Sequence, residues 1–201
     1  MRENSTNKQK RIIKKYNSSA PFYERRYKKI QYNKYLQIFS EIELIGKIIL
    51  DAGCGTGLIA EFLLENKDRK DVCPFAWVGV DISNNMLKEF REKNEQLGLL
   101  SHKMNLVQAD IEHLPLRSNR FNTLISITSY QNVPNIKQGV KESIRASKDG
   151  AEAYISVLKK TVKKSEFLSL IKPIIDDIKI IDNQSIEDLL IKGTINISSI
   201  L

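Results

Sequence analysis

From residue 47 onward, short runs of β-branched and aliphatic residues alternate with longer stretches in which apolar positions recur every three or four residues. The short runs predict buried strands at 47–51, 76–81, 104–108, 122–127, 151–157, 177–181 and 188–195. The 3.6-residue periodicity between them predicts helices over 58–65, 84–96, 136–147 and 164–171. Strands separated by helices need right-handed crossovers, hence a mostly parallel sheet. Only DNQSIE separates the last two strands, too little for a crossover, so that pair is expected as an antiparallel hairpin. The expected fold is α/β: a seven-stranded, mostly parallel sheet with a C-terminal antiparallel hairpin, helices on both faces and an N-terminal helical extension.

The extension has its own pattern. Residues 1–10 are polar and expected to fray. With Ser18 or Ser19 as N-cap and Pro21 in the first turn, APFYERRYKKIQYNKYLQIF reads as a helix. Tyr23, Tyr27 and Ile30 share one face, whereas Tyr32, Leu36 and Phe39 point elsewhere, so this helix either kinks near Gln31 or is covered on both sides. The 201 residues suffice for one α/β core and are too few for two, which divides the chain into a basic extension, 1–42, and a core domain, 43–201.

Charge sharpens that division. The net charge is +8, yet residues 1–40 hold eleven Lys/Arg against Glu3 and Glu24, a local +9, leaving about −1 for the rest. Such a segment is either a footprint for RNA or another polyanion, or a solvated helical face. No apolar run reaches the roughly 18 residues of a membrane span, and the first residues carry no apolar signal segment. A soluble, cytoplasmic protein without membrane contact is expected. Cys54 and Cys73 are too few for a disulfide framework or a structural zinc set, so no metal site is expected.

The candidate chemistry begins at ILDAGCGTG, residues 49–57. An apolar strand delivers Asp51 at its carboxyl end, where open α/β sheets bind ligands. Gly53, Gly55 and Gly57 then permit a sharp turn and a close approach of backbone to ligand. A dinucleotide site would read G-x-G-x-x-G and aim a helix N-terminus at a pyrophosphate. Here the pattern is D-x-G-x-G-x-G, and the leading acid suits a ligand that carries positive charge. LDAGCGTG resembles the first motif of the class I S-adenosylmethionine-dependent methyltransferases, and VGVDISNNML resembles their second.

That resemblance covers roughly residues 16–196 and implies roles for particular residues. Asp81 would hold the ribose hydroxyls, with a helix cap as the competing explanation of the same carboxylate. Ile82 would pack on adenine, Asp110 would take the adenine amino group, and the Ile111 amide a ring nitrogen. In YNSSAPFYERRY, similar to an A-P-x-Y segment of many members, Tyr23 would lie over the methionine part, or simply pack on the sheet; Arg26 is a further candidate for the cofactor carboxylate. His113 reads as a structural turn residue, and His102 as a surface one.

Methyl transfer chiefly needs alignment of nucleophile and methyl and exclusion of water. Where members that methylate nitrogen place an acid or Asn followed by Pro-Pro-aromatic, this chain reads SITSYQNVPN. The departure argues against the standard amino-methylase arrangement. Thr128 is assigned to the cofactor side, and Tyr130 and Gln131 are expected to face the acceptor as the catalytic pair. The leading expectation is an S-adenosylmethionine-dependent enzyme acting on RNA or a translation-related macromolecule. A small-molecule methyltransferase and a non-catalytic binding subunit are the alternatives. The resemblance puts the third strand at the sheet edge, where some core-only members bind a small zinc-containing activator subunit; RNA would meet the basic helix.

Overall fold

Successive side chains of the first strand, β1 (Ile48–Ala52), enter two different cores: Ile49 joins one buried cluster and Leu50 and Ala52 the other. This period-two alternation forces a sheet covered on both faces. The computed structural model describes residues 5–68, 71–98 and 103–197 and shows that sheet. It adds β2 (Ala76–Asp81), β3 (Met104–Gln108), β4 (Phe121–Ile127), β5 (Ser147–Leu158), β6 (Ile175–Ile181) and β7 (Asp188–Ile195). The spatial order is β3-β2-β1-β4-β5-β7-β6. The first five strands pair in parallel, and β7 runs antiparallel to both β5 and β6. The hairpin and the edge position of β3 follow the expectation.

Helices α1 (Ser5–Ile38), α2 (Leu58–Asn66) and α3 (Asn84–Leu97) accompany one cluster, and α4 (Ile136–Ala146) and α5 (Lys164–Ile171) the other. Ser83 caps α3 by accepting the Met86 amide, and Gly98 closes it in the left-handed conformation. Asn135 caps α4 in the same way, accepting from Gln138.

Helix α1 departs from expectation. It begins at Ser5 rather than near Ser18, runs 34 residues without a break at Gln31, and holds Pro21 in its interior. The Ser18 and Ser19 hydroxyls cap nothing; they donate back to the Lys15 and Tyr16 carbonyls. Pro21 has no N–H to give the Asn17 carbonyl four residues back, and Asn85 Nδ2 takes that carbonyl at 3.0 Å. Tertiary contact has replaced the missing helical bond. The two aromatic stripes also sort differently. Tyr23, Tyr32, Tyr35 and Phe39 pack on the core, while Tyr27, Ile30 and Leu36 stay exposed.

Candidate active site

The turn from β1 into α2 supplies the floor. Gly53, Gly55 and Gly57 all adopt positive φ (84°, 55° and 79°), a conformation that favours glycine. A Cβ at Gly53 would lie 2.2 Å from Ser129 Oγ and one at Gly57 would lie 2.1 Å from the Phe90 ring, whereas one at Gly55 would meet nothing within 4 Å. The outer two glycines answer to the protein's own packing. The middle one leaves space above the backbone.

One carboxylate, Asp81, lines that space, and a second, Asp51, lies buried beneath the loop. Asp81, at the end of β2, accepts the Gly55 amide through Oδ2 (3.0 Å) and the Ser83 amide through Oδ1 (2.8 Å). Since Ser83 caps the helix, Asp81 does not serve as the cap, and each of its oxygens keeps a lone pair for a ligand. Burial pushes its carboxyl up to about 6, with the backbone amides pulling the other way. Asp51 is fully buried and neither carboxylate oxygen has a hydrogen-bond partner. Burial raises it to about 8; the Trp77 indole, close by but itself without a hydrogen bond of good geometry, opposes the shift, while nearby Asp81 adds to it. A buried acid left without a partner suits an approaching cation.

Above the floor lies a cavity of about 80 Å³, and α1 roofs it with Gln9, Ile12, Tyr16 and Tyr23. Gln9 Nε2 donates to Asp110 Oδ2 (2.5 Å), Lys8 Nζ donates to the Val133 carbonyl (2.6 Å), and Ser83 Oγ donates to Asn17 Oδ1 (2.7 Å). Lys8 and Gln9, in the stretch expected to fray, thus clasp the site.

Of the residues assigned to cofactor from the sequence, Tyr23, Gly53, Gly55, Asp81, Ile82, Asp110, Ile111 and Thr128 line this one cavity. Gly57 starts α2, and Asp51 lies beneath the loop. Arg26 is exposed and lines no part of the cavity. Tyr130 and Gln131, expected to face the acceptor, are placed otherwise. Tyr130 is fully buried in the cluster beneath α4, where burial pushes its phenol up to about 12. Gln131 is 7% exposed, and its Nε2 braces the Thr128 carbonyl at 2.5 Å. The 3₁₀ turn over Tyr130–Asn132 points these side chains inward. His113 is exposed in a short 3₁₀ turn, and His102 lies outside the described residues. Both cysteines are free thiols, and among the described residues no His, Cys, Asp or Glu group could hold a metal.

Sequence reasoning missed Gln9 and Tyr16 in the roof and Lys34, Ser156 and Asp188 behind Thr128. No motif marks them. Only their shared position does.

The glycine cradle, the orphaned acid and the two strand-end aspartates match a ligand with a ribose, an adenine and a cationic amino acid. Residues 49–150, just over half the chain, match the family model described as a methyltransferase domain. The chain belongs to that family. A ubiquinone biosynthesis O-methyltransferase of Coxiella burnetii is 28% identical over 130 residues, 65% of this chain and 50% of that protein. The chain thus spans about half the length of the curated relatives it matches. Among solved structures, magnesium protoporphyrin IX methyltransferase from Synechocystis, with S-adenosylmethionine bound, aligns over 94% of this chain and 97% of its own (TM-score 0.71, 13% identity). A chain from the complex between the Haloferax volcanii Trm112 methyltransferase activator and a methyltransferase aligns over 90% and 97% (TM-score 0.69, 12% identity). These likenesses show the fold.

S-adenosylmethionine is the cofactor of this methyltransferase domain, and the residues present fit it. Gly55 leaves room for close approach, Asp81 keeps ribose-accepting lone pairs, and Asp51 is a buried acid without a partner for a cationic group. When bound, this cofactor supplies a methyl group activated on a sulfonium. No described helix is long and apolar enough to cross a membrane.

Proposed function

We propose that the protein is an S-adenosylmethionine-dependent methyltransferase whose acceptor is a small organic molecule. The observation that carries this reading is the closure of α1 over the cleft, with Gln9 on Asp110, Lys8 on the Val133 carbonyl and Asn17 on Ser83. A polymer would have to displace that roof, whereas a small acceptor would demand less opening of it. The quinone-pathway name of the Coxiella relative points the same way. In this reading the chain's own residues bind, orient and dry the site. Asp81 and Asp110 hold the nucleoside, Ile82 and Ile111 face its base, and Asp51 balances the cationic amino-acid end. Tyr16, Tyr23 and Ile12 keep water out from above.

The test is calorimetric titration with S-adenosylhomocysteine, with NAD in parallel, followed by transfer of labelled methyl groups to small-molecule and RNA fractions. Micromolar binding of the homocysteine product, no binding of NAD, and label confined to small molecules are expected. Label confined to RNA would replace this reading with the next.

A second reading, a macromolecular acceptor served by an activator subunit, is favoured by the sheet edge. Among the described residues strand β3 has no outer neighbour, its Met104, Leu106 and Val107 are only half buried, and Phe75, just before β2, is 71% exposed. Lys10, Lys14, Lys15, Arg25 and Lys29 on α1 are exposed cations available to phosphate. An RNA affinity that falls steeply with salt, or a stoichiometric small protein that co-purifies and raises activity, would support it.

A further inference from the structure

Four side chains from distant parts of the sequence form a buried polar nest where the carboxyl ends of β4 and β5 meet the cavity. Lys34 comes from α1, Thr128 follows β4, Ser156 belongs to β5, and Asp188 opens β7. Lys34 is 2% exposed, and Ser156 and Asp188 are fully buried. Lys34 Nζ lies 2.8 Å from Asp188 Oδ1 and donates to Thr128 Oγ1 at 3.0 Å. Thr128 Oγ1 donates to Asp188 Oδ2 at 2.7 Å, and Ser156 Oγ donates to the same oxygen at 2.8 Å.

Stability does not explain this nest. Burying an ion pair costs desolvation that its attraction scarcely repays, and well-packed apolar residues serve as well or better. The backbone adds a second cost. Thr128 sits at φ 57°, a left-handed conformation that a β-branched residue avoids. It is held there from several sides: Ser156 takes its amide, and Gln131 and Asn132 take its carbonyl. Such strain persists where the surrounding structure overrides it, and it concentrates at functional sites.

Counting hydrogen-bond capacity gives the nest its chemistry. A threonine hydroxyl has one proton and two lone pairs. The Thr128 proton goes to Asp188, and one lone pair accepts from Lys34. Ser156, 3.4 Å away, also turns its proton to Asp188 and has none left for Thr128. One lone pair on Thr128 remains, and Thr128 lines the cavity. A carbonyl, ether or phosphodiester oxygen would set lone pair against lone pair there, with the Asp188 charge behind. An O–H or N–H group can donate to it, leaving its own lone pair free to face the methyl group. Ile127, Val133 and Pro134 line the same cavity and favour an apolar body on that group.

We propose that Thr128, set by Lys34, Ser156 and Asp188, is the acceptor-binding hydroxyl, and that it selects small aromatic acceptors through a donated hydrogen bond, as from a phenolic O–H. The proposal rests on the methyltransferase reading. Its test uses the full chain saturated with S-adenosylhomocysteine, titrated calorimetrically with catechol and, separately, with 1,2-dimethoxybenzene, which has the same ring but no donor. Catechol is expected to bind about tenfold more tightly, the scale of one hydrogen bond. Thr128→Val, equally β-branched but without the hydroxyl, is expected to abolish that preference in the S-adenosylhomocysteine-saturated protein, whereas Thr128→Ser keeps it. Equal binding of both probes by the wild type, binding of neither, or an undiminished preference in Thr128→Val would overturn the proposal. The wild-type comparison stands even if the valine variant does not fold. Failure of the wild type to bind S-adenosylhomocysteine would instead remove the methyltransferase reading beneath it.

Discussion

The cofactor end of the cleft is made largely of backbone and of residues at strand ends: three glycines in one turn, Asp81 bonded to two amides, and Asp110 at the start of a 3₁₀ turn. The proposed acceptor end is made of side chains that converge from α1, the turn after β4, β5 and β7. The difference teaches what each half must do. A backbone cradle keeps its shape whatever the neighbouring side chains are, which suits a ligand common to a family. A nest of side chains can be exchanged one residue at a time, which suits an acceptor that differs between members.

Breaking the acceptor end should cost the most. Lys34→Ala would leave Asp188 as a buried charge without its cation, and about 3–5 kcal/mol of stability should be lost in urea unfolding. The double change Lys34→Met with Asp188→Leu should recover most of it. A Lys34→Ala variant as stable as the wild type would mean that the pair is not desolvated as the structure shows. At the cofactor end, Asp81→Ala is expected to weaken S-adenosylhomocysteine binding by about 1.5–3 kcal/mol, roughly 10- to 150-fold. Unchanged affinity would refute the ribose assignment.

Asp51 sharpens the comparison through pH. Its carboxyl titrates near 8 and that of Asp81 near 6 in the folded protein, against about 3.9 for an unfolded aspartate. The unfolded chain therefore gives up these protons first. As a result, the stability of the free protein should fall as pH rises from about 4 to about 8. Asp51→Asn should flatten that decline, followed as melting temperature from pH 5 to 8. It should also weaken binding of the cationic cofactor by about tenfold. A decline as steep as in the wild type would mean that Asp51 is not the group titrating. The smallest effect belongs to the roof. Gln9 occupies an Asp110 oxygen that adenine would claim, so Gln9→Ala should tighten S-adenosylhomocysteine about threefold, as expected for a weak competitor. Weaker binding would show instead that Gln9 contacts the ligand.

Much of this was legible before any coordinates. The strands were placed within a few residues because aliphatic runs between helical periods have one economical arrangement, a covered parallel sheet. The cofactor end was legible because glycine spacing and strand-end acids are local features: a turn that needs positive φ leaves its mark in neighbouring residues. Helix α1 was misjudged at its start. A polar stretch with a proline at position 21 obeys the local rules for a terminus, yet contacts from Asn85, Asp110 and Val133 hold it in helical form. Tyr130 was expected at the acceptor because it follows β4, but a single 3₁₀ turn sends the ring into the core.

By itself, the sequence determined the α/β sheet, its hairpin, the glycine turn and the aspartates at the ends of the strands, since each depends on residues close together in the chain. The tertiary structure alone decided that α1 roofs the cleft and that Lys34, Thr128, Ser156 and Asp188 meet beside it. Desolvation and hydrogen-bond satisfaction act on whatever groups lie within a few ångströms, and for those four that proximity exists only after the sheet has closed and α1 has docked.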